Sequence, residues 1–175
     1  MPAQSSDAVL ETPRLRLRHY REDDGVALFA ILGDPVTMAM WPAPFTREGV
    51  AAWIARNRDR YRANGFGRYA VCDRADDALI GDCGIVPAEM AGRSVYDLGY
   101  IVHHSRWGRG LALEAARAVM TFAFETLGLP ALHANMAEDH HASRRLAERL
   151  GMTVVDTFVN PRNRNRTTLL YARYR

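Results

Sequence analysis

The sequence predicts an α+β domain built around a single central sheet, and two observations carry this prediction. Three strand-like runs, at 67–73, 78–86 and 94–102, are joined by short, turn-like links, which favours an antiparallel meander. Segments with helical spacing of apolar residues lie before and after these runs, and a last pair of strand-like runs closes the chain. Grouped strands with helices on both sides indicate an α+β arrangement.

The amino-terminal part is predicted to form one strand followed by two helices. Alternation of leucine and arginine at 14–20 predicts a strand whose leucines face inward. The segment 22–34 predicts a short helix, and 41–45, with its two prolines, predicts a loop. A longer helix is predicted over 46–65, because Thr46 can cap its start and a glycine can end it.

The carboxy-terminal part alternates helices and strands. A helix is predicted over about 110–126, a strand at 131–136 and a further helix at 142–151, which stops at a glycine. Two runs, at 153–159 and 167–175, are predicted to pair across the arginine-rich turn NPRNRNR.

Length and composition are those of one soluble globular domain. For a chain of 175 residues, we expect a flexible tail at 1–9 and a single domain over 10–175. Hydrophobic residues make up 48% and charged residues 25% of the chain. There is no membrane-length apolar run and no signal-peptide architecture. Cys72 and Cys83 lack CxxC spacing and are expected to be reduced thiols, so the protein is predicted to be cytoplasmic without a membrane partner.

The charge is a mild +3, and all 23 basic residues are arginine. The absence of lysine excludes a Walker-type phosphate loop, a Schiff-base enzyme and a kinase of the usual design. A charge of this size does not by itself indicate nucleic-acid binding.

The stretch IVHHSRWGRGLALEAARAV, at 101–119, places Gly108, Gly110 and Ala112 where a helix is predicted to begin. Backbone N–H groups at a helix start have no intrahelical partner and lie at the positive end of the helix dipole, so small residues there suit a phosphate. Small residues also open helices for close packing, and this alternative stays open. A dinucleotide-binding fingerprint is not matched, because it needs a glycine where Leu113 stands.

WGRGLALEA, preceded by YDLGYIV, resembles the acyl-CoA-binding element of the GNAT N-acetyltransferase superfamily, whose consensus is Gln/Arg-x-x-Gly-x-Gly/Ala. Three further segments, LETPRLRLRHYREDD, DHHASRRLAERLGM and TTLLYARYR, resemble the ribosomal-protein-alanine N-acetyltransferase (Rim-type) branch. The resemblance covers roughly residues 10–174. It implies the GNAT acyl-CoA N-acyltransferase fold, a mostly antiparallel mixed sheet of about seven strands flanked by about four helices.

The resemblance implies that acetyl-CoA is the acyl donor. In this family the pantetheine arm lies along the strand before the glycine loop, which implies backbone contacts at Tyr100, Ile101 and Val102. His140 stands where the family has a cofactor-contacting asparagine, and Ser143 follows on the same element. Trp107, at the start of the motif, is also implied to contact the cofactor. The residues whose amides are implied to hold the pyrophosphate are Gly108, Arg109, Gly110, Leu111 and Ala112.

Two residues are candidates for catalysis. Many superfamily members have a tyrosine that is proposed to protonate the departing thiolate where this chain has Ala147, and in the similar branch the proposed substitute is a serine, here Ser143. That branch usually has a glutamate where this chain has Asp97, which could relay a proton through water. Structural alternatives stay open, since Ser143 could cap a helix and Asp97 could be a buried structural acid. An α-amino acceptor, with a pKa of about 8, does not require a strong base.

The acceptor is expected to be a primary amine, either a protein amino terminus or a small molecule. Trp41 and Phe45 are the candidates for lining its site, although both could equally belong to the core. The alternative function is a non-catalytic acyl-CoA-binding or sensing domain.

Short histidine and arginine patterns bear on whether a metal ion or RNA is a partner. The neighbouring histidines at 103–104 and at 140–141 are expected to point apart, so no metal site is predicted. Arg162, Arg164 and Arg166 would share one face of an extended chain and could meet RNA, but a solvated hairpin turn is the simpler interpretation, and nucleic acid is not predicted as a partner. Exposed terminal strands leave a homodimer open.

Overall fold

The computed structural model of the chain describes residues 8–175, which fold around one mixed sheet of eight strands. The strands are β1 (Ala8–Glu11), β2 (Leu15–Arg18), β3 (Arg68–Asp73), β4 (Leu79–Met90), β5 (Arg93–Val102), β6 (Ala131–Ala137), β7 (Thr153–Asn160) and β8 (Arg166–Tyr174). The α-helices of this part are α1 (Gly25–Leu32), α2 (Arg47–Asn64), α3 (Leu111–Thr121) and α4 (His141–Arg149). The predicted α+β class is confirmed. No helix within 8–175 is long and apolar enough to cross a membrane.

The strands lie side by side in the order β1-β2-β3-β4-β5-β6-β8-β7. All neighbours are antiparallel except β5 and β6, which run parallel. This parallel pair shares one register position, Asp97 opposite His133, whereas β4 follows β5 along its whole length. The sheet is therefore open between β5 and β6 beyond Asp97.

The sequence predicts about seven strands, and the strand that it misses is β1. Residues 1–7 of the predicted tail lie outside the described residues, but Ala8 and Val9 belong to β1, so the strand begins inside that tail. It pairs antiparallel with β2, where Leu10 lies opposite Leu17. A run of four residues is too short to show a period, so its pairing with β2 is what reveals it.

The predicted link at 87–93 is a second correction. β4 continues through Pro87 to Met90, and β5 begins at Arg93, so most of the link is strand. The turn itself is the residue pair Ala91 and Gly92, whose φ angles are 49° and 72°. Two consecutive residues with positive φ form the tight hairpin turn that suits the twist of antiparallel strands.

Two helices differ from prediction at their ends. The segment predicted as helix at 22–34 begins with a 3₁₀ turn at Glu22–Asp24 before α1. The helix predicted over about 110–126 is α-helical only as far as Thr121, and a π-helical turn continues it over Phe122–Thr126.

Helices cover both faces of the sheet. Successive side chains of β3 point alternately to one face and to the other. Ala70 and Cys72 pack under α1 and α2, whereas Tyr69, Val71 and, on β4, Cys83 pack under α3. Both cysteines are buried free thiols, as predicted. Burial raises the pKa of Cys83 to about 12, which keeps this thiol neutral.

A buried ion pair fixes the start of the helical part against the sheet. Arg18, at the end of β2, donates from Nη1 and Nη2 to the two carboxylate oxygens of Asp24, both at 2.7 Å. The backbone N–H of Arg21 donates to the same carboxylate at 2.7 Å. The side chains of Arg18 and Asp24 are 6% and 7% exposed, so removing one of them alone leaves a buried charge without its partner.

β3 and β4 approach each other closely at Gly84. A Cβ atom there would overlap the carbonyl oxygen of Gly67 and lie 2.6 Å from the Cα of Arg68. The same carbonyl accepts a hydrogen bond from the N–H of Ile85 at 3.0 Å, which holds the two strands together. A glycine is therefore required at position 84, beside Arg68 at the start of β3.

We expect Gly84→Ala to lower the free energy of unfolding by about 1–3 kcal/mol, because extra volume in a tightly packed site forces the backbone to shift. The measurement is a urea titration, in which the midpoint falls and the slope stays unchanged. The matched control is Gly25→Ala, since Gly25 has helical φ of −55° and nothing within 4 Å of its Cβ position. That variant should be neutral or up to about 1 kcal/mol more stable. Equal midpoints for the two variants would contradict the close approach of β3 and β4.

Candidate active site

A cavity of about 650 Å³ opens where β5 and β6 separate. Its walls come from these two strands, the start of α4, the loop at 40–42 and the turn between β7 and β8. The structure brings together five of the residues that the sequence nominated. These are Trp41, Asp97, Tyr100, His140 and Ser143. The cavity thus joins candidates for donor binding, acceptor binding and catalysis.

The edge of β5 that faces β6 is unpaired after Asp97 among the described strands. The side chains of Ile101 and Val102 are buried in the core, at 8% and 6% exposure, so only their backbone is available at this edge. The carbonyl of Val102 already accepts a hydrogen bond from Nε1 of Trp107 at 2.7 Å. An extended ligand could add to this edge as a strand would.

The glycine loop forms the start of α3. Gly108 and Gly110 both have φ of 74°, and Gly110 is the N-cap. The first N–H of this segment that is bonded belongs to Glu114, which donates to the carbonyl of Gly110 at 3.0 Å. Within the described part of the chain, no backbone N–H from Gly108 to Leu113 donates a hydrogen bond. Unpaired amides at a helix start form a site for an anion.

Arginines surround this loop. Arg14, which precedes β2, donates from Nη1 to the carbonyl of Arg109 at 2.9 Å, and its Nη2 lies 2.6 Å from a carboxylate oxygen of Glu114. Arg14, Arg74 and Arg109 also line a second cavity, of about 590 Å³, beside the loop. The positive side chains and the dipole of α3 therefore both favour an anion at this loop.

Ser143 is a buried residue of α4, at 9% exposure, and its Oγ lies 3.0 Å from the hydroxyl of Tyr100. The N-cap of α4 is His140, and no described backbone N–H donates to the Ser143 hydroxyl, so a capping role is not what the structure shows. Burial raises the pKa of Tyr100 well above its ordinary value, although the bond to Ser143 opposes this. The two residues therefore form a protonated hydroxyl pair. Ala147, one turn later, is fully buried.

Asp97 lies at the point where β5 and β6 part. Nδ2 of Asn135, on β6, donates to its Oδ1 at 3.1 Å. Burial raises the pKa of Asp97 above its ordinary value, although the charge of Arg68 and the Asn135 hydrogen bond both act to lower it. A carboxyl group with a raised pKa is a better proton acceptor than an ordinary aspartate.

His140 lies at the start of α4 and lines the cavity. Burial lowers the pKa of His140, with the charge of Asp139 opposing the effect. The ring is therefore neutral at pH 7 and can donate or accept a hydrogen bond.

Of the two aromatic residues predicted to line the acceptor site, only one lines the cavity. Trp41 lines the cavity. Phe45 is not among its lining residues, and it packs edge-to-face against Trp41 and Trp53, with ring centroids 5.8 Å and 5.5 Å away. Phe45 thus packs against Trp41 outside the cavity, because the proline-containing loop turns the Phe45 side chain toward α2.

A buried charge network lies behind the cavity. Asp82, on β4, is fully buried, and its Oδ1 accepts a hydrogen bond from Nε of Arg68 at 2.5 Å. Its Oδ2 accepts bonds from Nε1 of Trp53 at 3.0 Å and from the hydroxyl of Tyr20. Arg68 is 4% exposed and lines the cavity. The acid therefore accepts hydrogen bonds from the loop after β2, from α2 and from β3.

Sequence reasoning missed Arg68, Asp82 and Asn135. A signal for the first two exists, because each is a charged residue inside an apolar strand-like run, where a charge has to be paired. For Asn135 no such signal exists, since its contact with Asp97 depends on the register of a parallel pair from distant parts of the chain.

The neighbouring histidines were expected to point apart, and for His103 and His104 this is wrong. Their ring centroids are 4.3 Å apart, because β5 ends there and a 3₁₀ turn begins. With Asp34, they place three ligand atoms within 4.8 Å of one another. Both Nδ1 atoms are occupied, by Ser105 Oγ and by Asp34 Oδ2, each at 2.8 Å.

The arginine-rich segment forms the hairpin turn between β7 and β8, with Asn160 opposite Arg166. Arg164 has φ of 54°, and Arg166 pairs with Asp139. The three arginines do not share the face of an extended strand, because the chain reverses direction between them.

Comparisons with known proteins agree on one family. A family model described as an acetyltransferase (GNAT) domain matches residues 14–153. A Bacillus subtilis protein, YkkB, is 31% identical over 144 residues, which cover 82% of this chain and 84% of that protein.

Solved structures share the fold. An acetyltransferase from Agrobacterium tumefaciens superposes with a TM-score of 0.80 and 26% identity, covering 95% of this chain and 94% of that chain. RimL, a ribosomal L7/L12 α-N-protein acetyltransferase solved in complex with coenzyme A, gives 0.79 at 16% identity, covering 95% and 97%. At that identity the likeness shows the fold alone. The family match spans the glycine loop, the open edge of β5 and α4, and so this chain belongs to the GNAT family of acetyltransferases.

Proposed function

We propose that this protein is an acetyl-CoA-dependent N-acetyltransferase that acts on a primary amine by direct attack in a ternary complex. The observation that carries the proposal is one continuous path on the protein. Unpaired amides from Gly108 to Leu113 lead to the open edge of β5, and this edge leads to the cavity beside Asp97 and Ser143. An anion site, an extended groove and a pair of proton-transfer groups therefore lie in the order that a long acyl thioester requires.

The glycine loop would hold the pyrophosphate of the donor. Its amides and the cations of Arg14 and Arg109 supply hydrogen bonds and charge, and the glycines leave the backbone accessible. The unpaired edge of β5 would position the pantetheine arm through its backbone groups, and Tyr100 on this strand also lines the cavity. The donor supplies a thioester carbonyl, which is an electrophile with a thiolate leaving group.

Asp97 is the proposed general base. The amine nitrogen forms a bond to the carbonyl carbon, the carbon–sulfur bond breaks, and the proton that leaves nitrogen passes to the Asp97 carboxylate, directly or through water. The raised pKa of Asp97 suits this step, because it brings the affinity of the carboxylate for a proton closer to that of the amine. Orientation beside the thioester supplies a further part of the acceleration.

Ser143 is the proposed donor to the sulfur. Its hydroxyl lies in the cavity wall and is paired with the Tyr100 hydroxyl, so it can stabilise or protonate the departing thiolate while Tyr100 holds it in place. The proton on Asp97 returns to solvent after the products leave, and the hydroxyl pair recovers its proton in the same way. The acceptor is proposed to enter beside Trp41 and to be a peptide amino terminus or a small-molecule amine.

Gly110→Arg should abolish tight binding of acetyl-CoA. The loss of two hydrogen bonds to a charged group, each of roughly 1.5–3 kcal/mol, weakens binding about a hundredfold or more. Isothermal titration calorimetry with acetyl-CoA measures this. Gly65→Arg is the control, because Gly65, which ends α2, shares the positive φ of Gly110, at 78°, and has open space around it. Binding that survives in Gly110→Arg would remove the pyrophosphate role from the loop.

Ser143→Ala should lower kcat by roughly tenfold to a hundredfold, because a donor to the developing thiolate charge is lost. The affinity for acetyl-CoA, measured by calorimetry, should stay within about twofold, since the backbone contacts remain. Tyr100→Phe keeps the Ser143 hydroxyl and should cost less. An unchanged kcat in Ser143→Ala would exclude this serine from the mechanism.

The pH dependence of kcat/KM should show an acidic limb that belongs to Asp97. Activity is lost as the pH falls through the pKa of this base, and the raised pKa places the limb above the ordinary aspartate value of about 4. Asp97→Asn should remove the limb and lower the rate roughly a hundredfold or more.

Asn135→Ala should move the same limb to higher pH, because it removes the amide that stabilises the charged carboxylate. Two acceptors with different amine pKa values separate this limb from the titration of the amine. A limb that follows the acceptor, and is the same in the Asn135 variant, would contradict the assignment of Asp97.

A further inference from the structure

One edge of the Arg68 guanidinium, formed by Nη1 and Nη2, makes no hydrogen bond to Asp82, its ion-pair partner. Its Nε donates to Oδ1 of Asp82 at 2.5 Å. Its Nη2 touches the same oxygen as an ion-pair contact, but without the direction of a hydrogen bond. Among the described residues, no acceptor takes a hydrogen bond from Nη1 or Nη2. A guanidinium has five N–H donors, and an unpaired donor in a buried place is costly.

Two glycines give this side chain its path to the cavity. Arg68 on β3 lies opposite Gly84 on β4, which lies opposite Gly99 on β5. A Cβ atom at Gly99 would overlap Nη1 of Arg68. The guanidinium therefore occupies the space above β5 that a side chain at 99 would fill.

This position puts a cation beside the proposed base. Side chains two residues apart on a strand share a face and are separated by about 7 Å, so the space above Gly99 adjoins Asp97. Both Arg68 and Asp97 line the same cavity. Burial opposes the charge of Arg68, but Asp82 and its neighbours outweigh burial and raise the pKa of the guanidinium, so it stays a cation.

We propose that the natural acceptor is an amino carboxylate, whose amine lies toward Asp97 and whose carboxylate pairs with the Nη1 and Nη2 edge of Arg68. This inference rests on the proposed function and names the substrate class of the same site. A planar guanidinium edge with unpaired N–H groups matches the two oxygens of a carboxylate. An acid and a cation side by side match an ammonium and a carboxylate carried by one small molecule.

The first test compares acceptors in matched pairs. Each amino carboxylate is assayed beside its own carboxamide with the full-length protein and acetyl-CoA, and release of coenzyme A is measured. Because the amide changes the amine pKa, the decisive quantity is the carboxylate-to-carboxamide ratio of kcat/KM in the wild type divided by the same ratio in a variant. That quotient cancels the chemistry of the acceptor.

The main variant combines Arg68→Met with Asp82→Asn, so that both charges of the buried pair are removed together. The quotient should be at least about ten, because a charge-assisted pair is lost. The matched control combines Arg18→Met with Asp24→Asn, which removes the other buried pair outside the cavity and should leave a quotient near one.

Gly99→Ala is a second, independent variant for the case in which the double variant does not fold. Its Cβ overlaps only the far end of the flexible Arg68 side chain, which can move away, so the fold is kept while the guanidinium is displaced. The quotient should again exceed about ten. Calorimetry with the acetylated products provides a readout without turnover: the N-acetyl amino carboxylate should bind the wild type more tightly than the N-acetyl carboxamide.

The outcomes separate the two levels of the proposal. If no amine of the panel is acetylated, the proposed function fails. If amines are acetylated but carboxylates have no advantage that depends on Arg68, the proposed function stands and the amino carboxylate is excluded. A variant that shifts only the acidic limb of the pH profile, with a quotient near one, would show that Arg68 acts on Asp97 alone and would also overturn the inference.

Two arms identify the source of the carboxylate. One arm uses free amino carboxylates, and the other uses short peptides that begin with aspartate, paired with the same peptides beginning with asparagine. A quotient above about ten in the first arm assigns a small molecule, and in the second arm a protein amino terminus. Either result supports a carboxylate-bearing acceptor, and a quotient near one in both arms contradicts it.

Discussion

β5 and β6 share a single register position, Asp97 opposite His133, and then separate. The other features of the site follow from this separation, because a closed sheet would leave neither an unpaired edge on β5 nor a cavity beside it. The chain leaves β5 through a short turn and enters α3 with its first amides unpaired, so the anion site lies at the end of the same edge. One break in strand pairing therefore aligns the proposed phosphate site with a groove and with a cavity that holds an acid.

A second constraint is the charge of Asp82, which is buried on the face of the sheet that α1 and α2 cover. Asp82 is fully buried and accepts hydrogen bonds from Tyr20, Trp53 and Arg68, which come from three separate parts of the chain. These donors satisfy a buried acid, and the network therefore connects the loop after β2, α2 and β3 to one another. Trp41 and Phe45 pack against Trp53, which connects this network to the proposed acceptor entrance.

The sequence predicted most elements of the fold and about half of the site. Periodic segments such as the helix at 46–65, and the loop around Gly108 and Gly110, show themselves through local spacing. β1 was missed because it shows itself only by pairing with β2. The hairpin of β4 and β5 was predicted, but not the extension of both strands to the turn at Ala91–Gly92, which depends on backbone angles rather than on a pattern. Of the site residues, Asp97 and Ser143 came from resemblance to a family. Arg68 and Asn135 needed the three-dimensional register, since their contacts join strands that are far apart in sequence.

The contact between Gly99 and Arg68 also limits how this cavity can diverge. Any side chain at 99 overlaps the guanidinium where it now stands, so a gain of side-chain volume on β5 displaces Arg68 unless β3 carries a shorter residue. Loss of Arg68 in turn leaves Asp82 without its cation. Positions 68, 82 and 99, on three adjacent strands, are therefore coupled. A homologue that departs at one of them is expected to depart at the others, and libraries that vary single positions will find few active members there.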